Sequence, residues 1–197
     1  MKTVFTTLIL CSFCIISFTQ CAKDTGIETY QPSPEEIENL KYLREEEYLA
    51  GDIYEYFSNM YDIPVFRNIS KSEDVHTERV RMLIDRYQIE DPAANHTAGN
   101  FKNEELQNLY NSLIEKGSYS LDSAIVVGLM IEEKDILDLQ EALDNTIKAE
   151  DIRAVYIALK RGSNNHLRAF YRHAEARKLD YSPRFLDELT FREYLSD

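Results

Sequence analysis

The sequence predicts an all-α protein: an antiparallel four-helix bundle with a long crossover between the second and third helices and a short C-terminal helix. Three observations carry this. Four segments repeat apolar residues at spacings of three and four, the period that gathers side chains on one helix face. Glycine and proline number 6 and 5 in 197 residues, which implies few and short loops. No segment shows strand–helix alternation, and there is no glycine-rich phosphate loop.

The first helix opens at Ser33-Pro34-Glu35-Glu36, with serine as N-cap, proline at the first position and glutamate three after the cap. Leu40, Leu43, Glu47, Ala50, Tyr54 and Phe57 then share one face. Asp62 to Pro64 break the chain, and a second helix is expected from Asn68 or Ser70, with the stripe Ile69, Glu73, His76, Val80, Leu83 and Tyr87. It should stop before Asp91-Pro92. Residues 91–103 read as loop. A shorter helix through Leu106, Leu109, Tyr110 and Leu113, ended by Gly117, falls in the crossover.

Ser120 caps the next helix, whose stripe is Ile125, Gly128, Glu132, Ile136, Leu139 and Leu143, and Asp144-Asn145 marks its end. The last bundle helix starts at Glu150-Asp151, acidic as an N-terminus favours. It runs through Ile152, Val155, Leu159, Gly162, His166, Phe170 and His173. Gly162 in mid-helix implies close approach of another backbone, or a kink. The tail from Tyr181 to Asp197 reads as a short helix packed on the bundle.

The N-terminus reads as separate from the fold. Lys2 precedes an apolar run from Val4 to Phe18, the length of a signal-peptide core and short for a membrane span. Phe18-Thr19-Gln20-Cys21 resembles the lipobox of bacterial lipoproteins, in which the cysteine is lipidated; Gln20 departs from the small residue usual there. The expected layout is a signal peptide over 1–20, a tether over 21–32, the bundle over 33–180 and a helical tail over 181–197. It implies an exported, cell-envelope protein anchored to a membrane face through Cys21. All three cysteines lie at or before Cys21, so the folded part has no disulfide and no thiolate metal site. The net charge of −13 argues against nucleic acid as a partner and suits cations.

Each of the four stripes carries charged or imidazole groups where the period demands apolar ones: Glu47, Glu73 with His76, Glu132, and His166. Glu73 and His76, at i and i+3, direct a carboxylate and an imidazole to one side. Such groups on facing helices are the donor set of carboxylate-bridged metal sites, and oxygen-rich, thiolate-free ligation suits iron or manganese. Glu46, Glu133 and Asp135 border the same faces. Taken singly, each group has a plainer role: Glu73 closes a capping box with Ser70, His76 is a hydrogen-bonded core histidine, and the acidic runs are solvated. Taken together, carboxylates on four apolar faces must be paired or metal-bound. Salt bridges to Arg44, Arg161 or Arg168 are the structural alternative.

Four strings strengthen the metal expectation: Leu43-Arg44-Glu45-Glu46-Glu47-Tyr48-Leu49-Ala50, Asn68-Ile69-Ser70-Lys71-Ser72-Glu73-Asp74-Val75-His76, Ile131-Glu132-Glu133-Lys134-Asp135-Ile136 and Gly162-Ser163-Asn164-Asn165-His166-Leu167-Arg168-Ala169-Phe170. Spread over residues 35–173, they resemble DUF2202, a bacterial and archaeal family placed in the ferritin-like superfamily. The resemblance implies two antiparallel helix pairs joined by a crossover, with Glu47, Glu73, His76, Glu132 and His166 as ligands. It departs at the fourth helix, where Ser163 stands in place of the superfamily's glutamate. One metal ion, or an asymmetric pair helped by Asp135 or Glu133, are both open.

The expected function is that of an envelope-tethered iron or manganese protein (one or two ions) with oxidase- or peroxidase-type redox activity, a di-iron-type oxidoreductase, taking oxygen or peroxide. A non-catalytic, partner-binding bundle with a degenerate metal site is the alternative, and a homodimer is a further expectation.

Overall fold

The computed structural model describes residues 30–196. The expected signal peptide, Cys21 and most of the expected tether lie outside the described residues. Among the described residues six α-helices follow in order: α1 (Pro34–Tyr61), α2 (Pro64–Arg86), α3 (Glu104–Ser118), α4 (Leu121–Glu141), α5 (Glu150–Ala176) and α6 (Glu188–Ser196). A π-helical turn, Ala142–Thr146, continues α4. The fold is all-α, as the stripes predict.

The contacts give the directions. Glu47 meets His76 and Gly51 meets Glu73, while Phe57 lies against Phe66, so α1 and α2 run antiparallel. Gly128 lies against Phe170, Glu132 faces His166 and Asp135 faces Ser163, so α4 and α5 form a second antiparallel pair. Helix α3 lies in the crossover and packs on α1 and α4. These pairs bury two apolar clusters. One holds Tyr54, Phe57, Phe66 and Phe170, with Phe66 and Phe170 ring centroids 5.4 Å apart. The other holds Leu40, Leu43, Val80, Leu83, Leu139 and Leu159. Each such side chain contributes about 1.5–3 kcal/mol by leaving water. Glu47, Glu73, His76, Glu132 and His166 form a polar layer between the clusters.

The caps follow the sequence. Ser33 Oγ accepts from the Glu36 N–H at 3.2 Å and Glu36 Oε2 accepts from the Ser33 N–H at 2.8 Å, a closed capping box. Glu36 Oε1 also accepts from the Lys148 and Ala149 N–H groups, tying the start of α1 to the start of α5. Ser120 caps α4.

Three local expectations are corrected. Helix α2 starts at Pro64, well before Ser70, because proline lacks the N–H that the first turn leaves unpaired and has helical φ built in. Ser70 is therefore mid-helix and Glu73 closes no capping box. Gly117 lies inside α3 rather than ending it, and its missing side chain makes room for the Phe57 ring. Helix α5 runs unbroken through Gly162, and what approaches that glycine is an imidazole rather than a backbone.

Candidate metal centre

Glu73 stands at the middle of the polar layer and divides its two oxygens between two histidines. Its Oε2 lies 2.7 Å from His76 Nδ1 and its Oε1 lies 2.9 Å from His166 Nδ1. Glu47 Oε2 comes to 3.2 Å from His76 Nδ1, and Glu132 Oε2 to 3.5 Å from His166 Nδ1. The five residues form two triads that share Glu73: Glu47, Glu73 and His76, and Glu73, Glu132 and His166. Within each triad the donor atoms lie within 4.8 Å of one another. The two imidazoles are stacked, with ring centroids 5.4 Å apart. All five side chains are buried, at 1–8% exposure.

Groups beyond the triads aim these donors. Ser72 Oγ lies 2.9 Å from His166 Nε2, which leaves Nδ1 facing inward. Tyr54, fully buried on α1, donates its hydroxyl proton to Glu132 Oε1 at 2.5 Å. Behind His76 lies Gly162: a Cβ there would fall 2.5 Å from His76 Nε2 and 2.7 Å from its Cε1. Only a glycine lets α5 approach the ring this closely. Ser163, where the resemblance leaves a gap, donates from Oγ to Asp135 Oδ2 and to the Leu159 carbonyl. Neither Ser72 nor Gly162 is among the ligands the sequence predicts. Ser72 sits one turn before His76 and Gly162 one turn before His166, spacings that set both on faces turned to the site, and a glycine in mid-helix is itself a sign of close approach.

The electrostatics are those of a crowded, dry site. Burial would raise the Glu73 carboxyl, but the two imidazoles close to its oxygens, His166 and His76, outweigh it and hold the group at about 2. Burial would lower the imidazoles, yet Glu47 and Glu73 push His76 up to about 11, and Glu132 and Glu73 push His166 up to about 10. Glu47 is raised to about 7 by burial, with His76 pulling against it. Glu132 and Asp135 are raised, again chiefly by burial.

Hydrogen-bond accounting separates site carboxylates from structural ones. Glu47 Oε1, Asp135 Oδ1, Glu46 Oε2 and His166 Nδ1 are buried and have no hydrogen-bond partner. His166 Nδ1 is close to Glu73 yet out of line for a bond with it. Glu45, by contrast, accepts from the Lys102 and Asn103 N–H groups and pins the crossover. Glu133 accepts from the Tyr181 hydroxyl at 2.5 Å and from the N–H groups of Arg184, Phe185 and Leu186. Glu46 pairs with Lys134 at 3.1 Å. The arginines do not neutralise the triads: Arg44 bonds to Asp91 and the Thr77 carbonyl, and Arg168 to the Tyr194 carbonyl and Asn165. Three carboxylates and two imidazoles, with unpartnered atoms turned inward, fit a divalent cation that accepts oxygen and nitrogen donors.

Comparison with known proteins shows the family. Residues 36–197 match the family described as "Uncharacterized protein domain (DUF2202)". The chain is 40% identical over 164 residues to "Uncharacterized protein MJ0754" of Methanocaldococcus jannaschii, a match covering 83% of this chain and 88% of that protein. A crystal structure titled as hypothetical protein MJ0754 from Methanococcus jannaschii superposes with a TM-score of 0.82 at 39% identity, covering 86% of this chain and 97% of that one. An all-helical bundle with two buried carboxylate–histidine triads, matched along most of its length, the chain belongs to the DUF2202 family.

Proposed function

We propose that this protein is a ferritin-like iron or manganese protein with two adjacent metal positions, held at the cell envelope by a lipid anchor on Cys21. The observation that carries it is the shared carboxylate: Glu73 offers one oxygen to each histidine, while Glu47 Oε1 and His166 Nδ1 have no other partner. Buried donors left unpaired cost folding free energy, so their persistence at one point is best accounted for by a ligand. Glu47 and His76 would hold one ion, Glu132 and His166 the other, and Glu73 would bridge. Asp135, buried beside Glu47 and Glu132 with Oδ1 unpaired, supplies the reserve carboxylate on the α4 side. Glu133 is excluded by its four donors.

Bound iron or manganese would supply one-electron redox chemistry toward oxygen or peroxide. The chain's own part is positional. Ser72 and Gly162 fix the imidazoles, Tyr54 holds Glu132, and the apolar clusters on either side exclude water. Metal uptake must also displace protons, since both histidines are charged at neutral pH without it.

The test is metal content. Residues 22–197 are loaded with Fe(II) or Mn(II) without oxygen, desalted and assayed by elemental mass spectrometry. Two ions per chain, lost when His76 and His166 are both replaced by alanine, is the expected result. A folded protein that retains no metal would overturn the proposal and leave a partner-binding bundle.

A further inference from the structure

On the side of the polar layer facing α3 lies a narrow cavity. Its walls are Ala50, Leu109, Leu113, Met130, Ile131 and Phe185, and its free surface is almost entirely apolar. Its polar border is Glu47, Asp135, Glu46 and Lys134, and each of the three carboxylates has a buried oxygen lacking a hydrogen-bond partner. Phe185, 40% exposed, stands on the wall at the protein surface. It is fixed there because Glu133 accepts the N–H groups of residues 184–186. The space is that of one small guest, on the scale of a water, a dioxygen or a xenon atom.

We infer that this cavity is a binding site and entry route for a small apolar molecule of dioxygen size, leading to the Glu47 side of the metal positions. The inference rests on the metal assignment above for its destination, but not for the binding itself. The walls decide the chemistry of the guest. The Lys134 ammonium also borders the cavity, but it is taken up by Glu46, Asp138 and the Tyr42 hydroxyl. A peroxide or an anion would surrender its hydrogen bonds to water along the apolar wall, and the carboxylates repel negative charge. A diatomic gas loses nothing on entering. Ala50 is the smallest of the wall residues, on the same face of α1 as Glu47 and one turn away. A larger side chain there fills the route without touching a metal donor.

Two measurements test it. Crystals of the unmodified chain are pressurised with xenon, and xenon density is expected between Ala50, Leu113 and Ile131, absent in Ala50→Leu. Separately, protein loaded with Fe(II) is mixed with nitric oxide or with azide in a stopped-flow instrument. Ala50→Leu is expected to hold as much iron as the unmodified protein and to bind nitric oxide roughly tenfold more slowly, with azide little changed. Leu113→Ala, which widens the route, should take up more xenon and guards against an Ala50 variant that fails to fold. Ordered water in place of xenon, or equal slowing of nitric oxide and azide, would overturn the inference. If the protein holds no iron, the metal assignment fails alone, and xenon still decides whether the cavity binds an apolar guest.

Discussion

Glu132 and Glu133 are neighbours in sequence and equally buried, yet they belong to opposite kinds of structure. Glu133 receives four donors from the tail and is saturated. Glu132 has the Tyr54 hydroxyl on one oxygen and a distant imidazole on the other. The same contrast separates Glu45, whose oxygens pin the crossover, from Glu47, which keeps an oxygen unpaired. Burial does not distinguish a structural carboxylate from a candidate ligand. Saturation does. On α1 and α4, glutamates one or two residues apart point to different sides, so one builds the scaffold while the other faces the centre.

The largest test of this contrast exchanges the two roles. Glu133→Ala strands the Tyr181 hydroxyl and three backbone N–H groups, so it should cost about 2–4 kcal/mol in denaturant unfolding while metal stoichiometry stays at the unmodified level. Asp135→Asn should do the reverse. It replaces a buried carboxyl that has an unpaired oxygen and that burial already disfavours in its charged form, so metal-free stability should hold or rise by about 1 kcal/mol, and metal affinity should fall. If both variants lose stability and both keep metal, saturation is the wrong criterion.

Gly162→Ala comes next. Its Cβ would displace the His76 ring, and isothermal titration should show metal affinity down roughly 10–100-fold. Helix propensity favours alanine by about 1 kcal/mol, which offsets part of the folding cost. Ser72→Ala releases His166 Nε2, and a loss of about tenfold in metal affinity is expected, with little change in stability.

The smallest effect is the pH profile. In metal-free protein, His76 and His166 lie above their ordinary value of 6.5, so the stability they contribute is complete below 6.5 and is lost as pH rises through about 10–11. Glu47, raised from 4.5 to about 7, acts in the same direction over its own range. Glu73 acts oppositely, losing its contribution as pH falls from 4.5 to about 2. Metal-free stability should therefore decline from neutral pH upward, while apparent metal affinity climbs over the same range because fewer protons must leave. Thermal melts with and without Mn(II) across pH 6–9 give both curves, and parallel curves would break the link between the histidines and the ion.

Much of the fold was legible because helices report their buried face locally. The stripes through Leu40–Phe57 and Ile125–Leu143 needed no partner to be recognised, and the Ser33 cap is complete within four residues. The candidate ligands were legible for the same reason, as polar interruptions of those stripes, and the triads now bring all five together. What escaped depends on distant partners. Whether Glu45 is clamped is decided by Lys102 and Asn103, 57 and 58 residues away. Glu133 is saturated by a segment about fifty residues on. Gly162 announced a close approach, but nothing near it in sequence says that the approaching group is His76.

The tail also bears on how a working fragment could be cut. Residues 181–186 look like an appendix when the helices are counted, but they act as solvent for Glu133: they supply the hydrogen bonds that water would give that carboxylate on a surface. A chain shortened to residue 180 would not be a smaller bundle of the same kind. It would hold a dehydrated anion beside Glu132, and the helix carrying both would have to rotate, or take up water or a proton, to accommodate it. An expression fragment meant to preserve the metal centre should therefore run past Leu186, although the triads themselves end in sequence at His166.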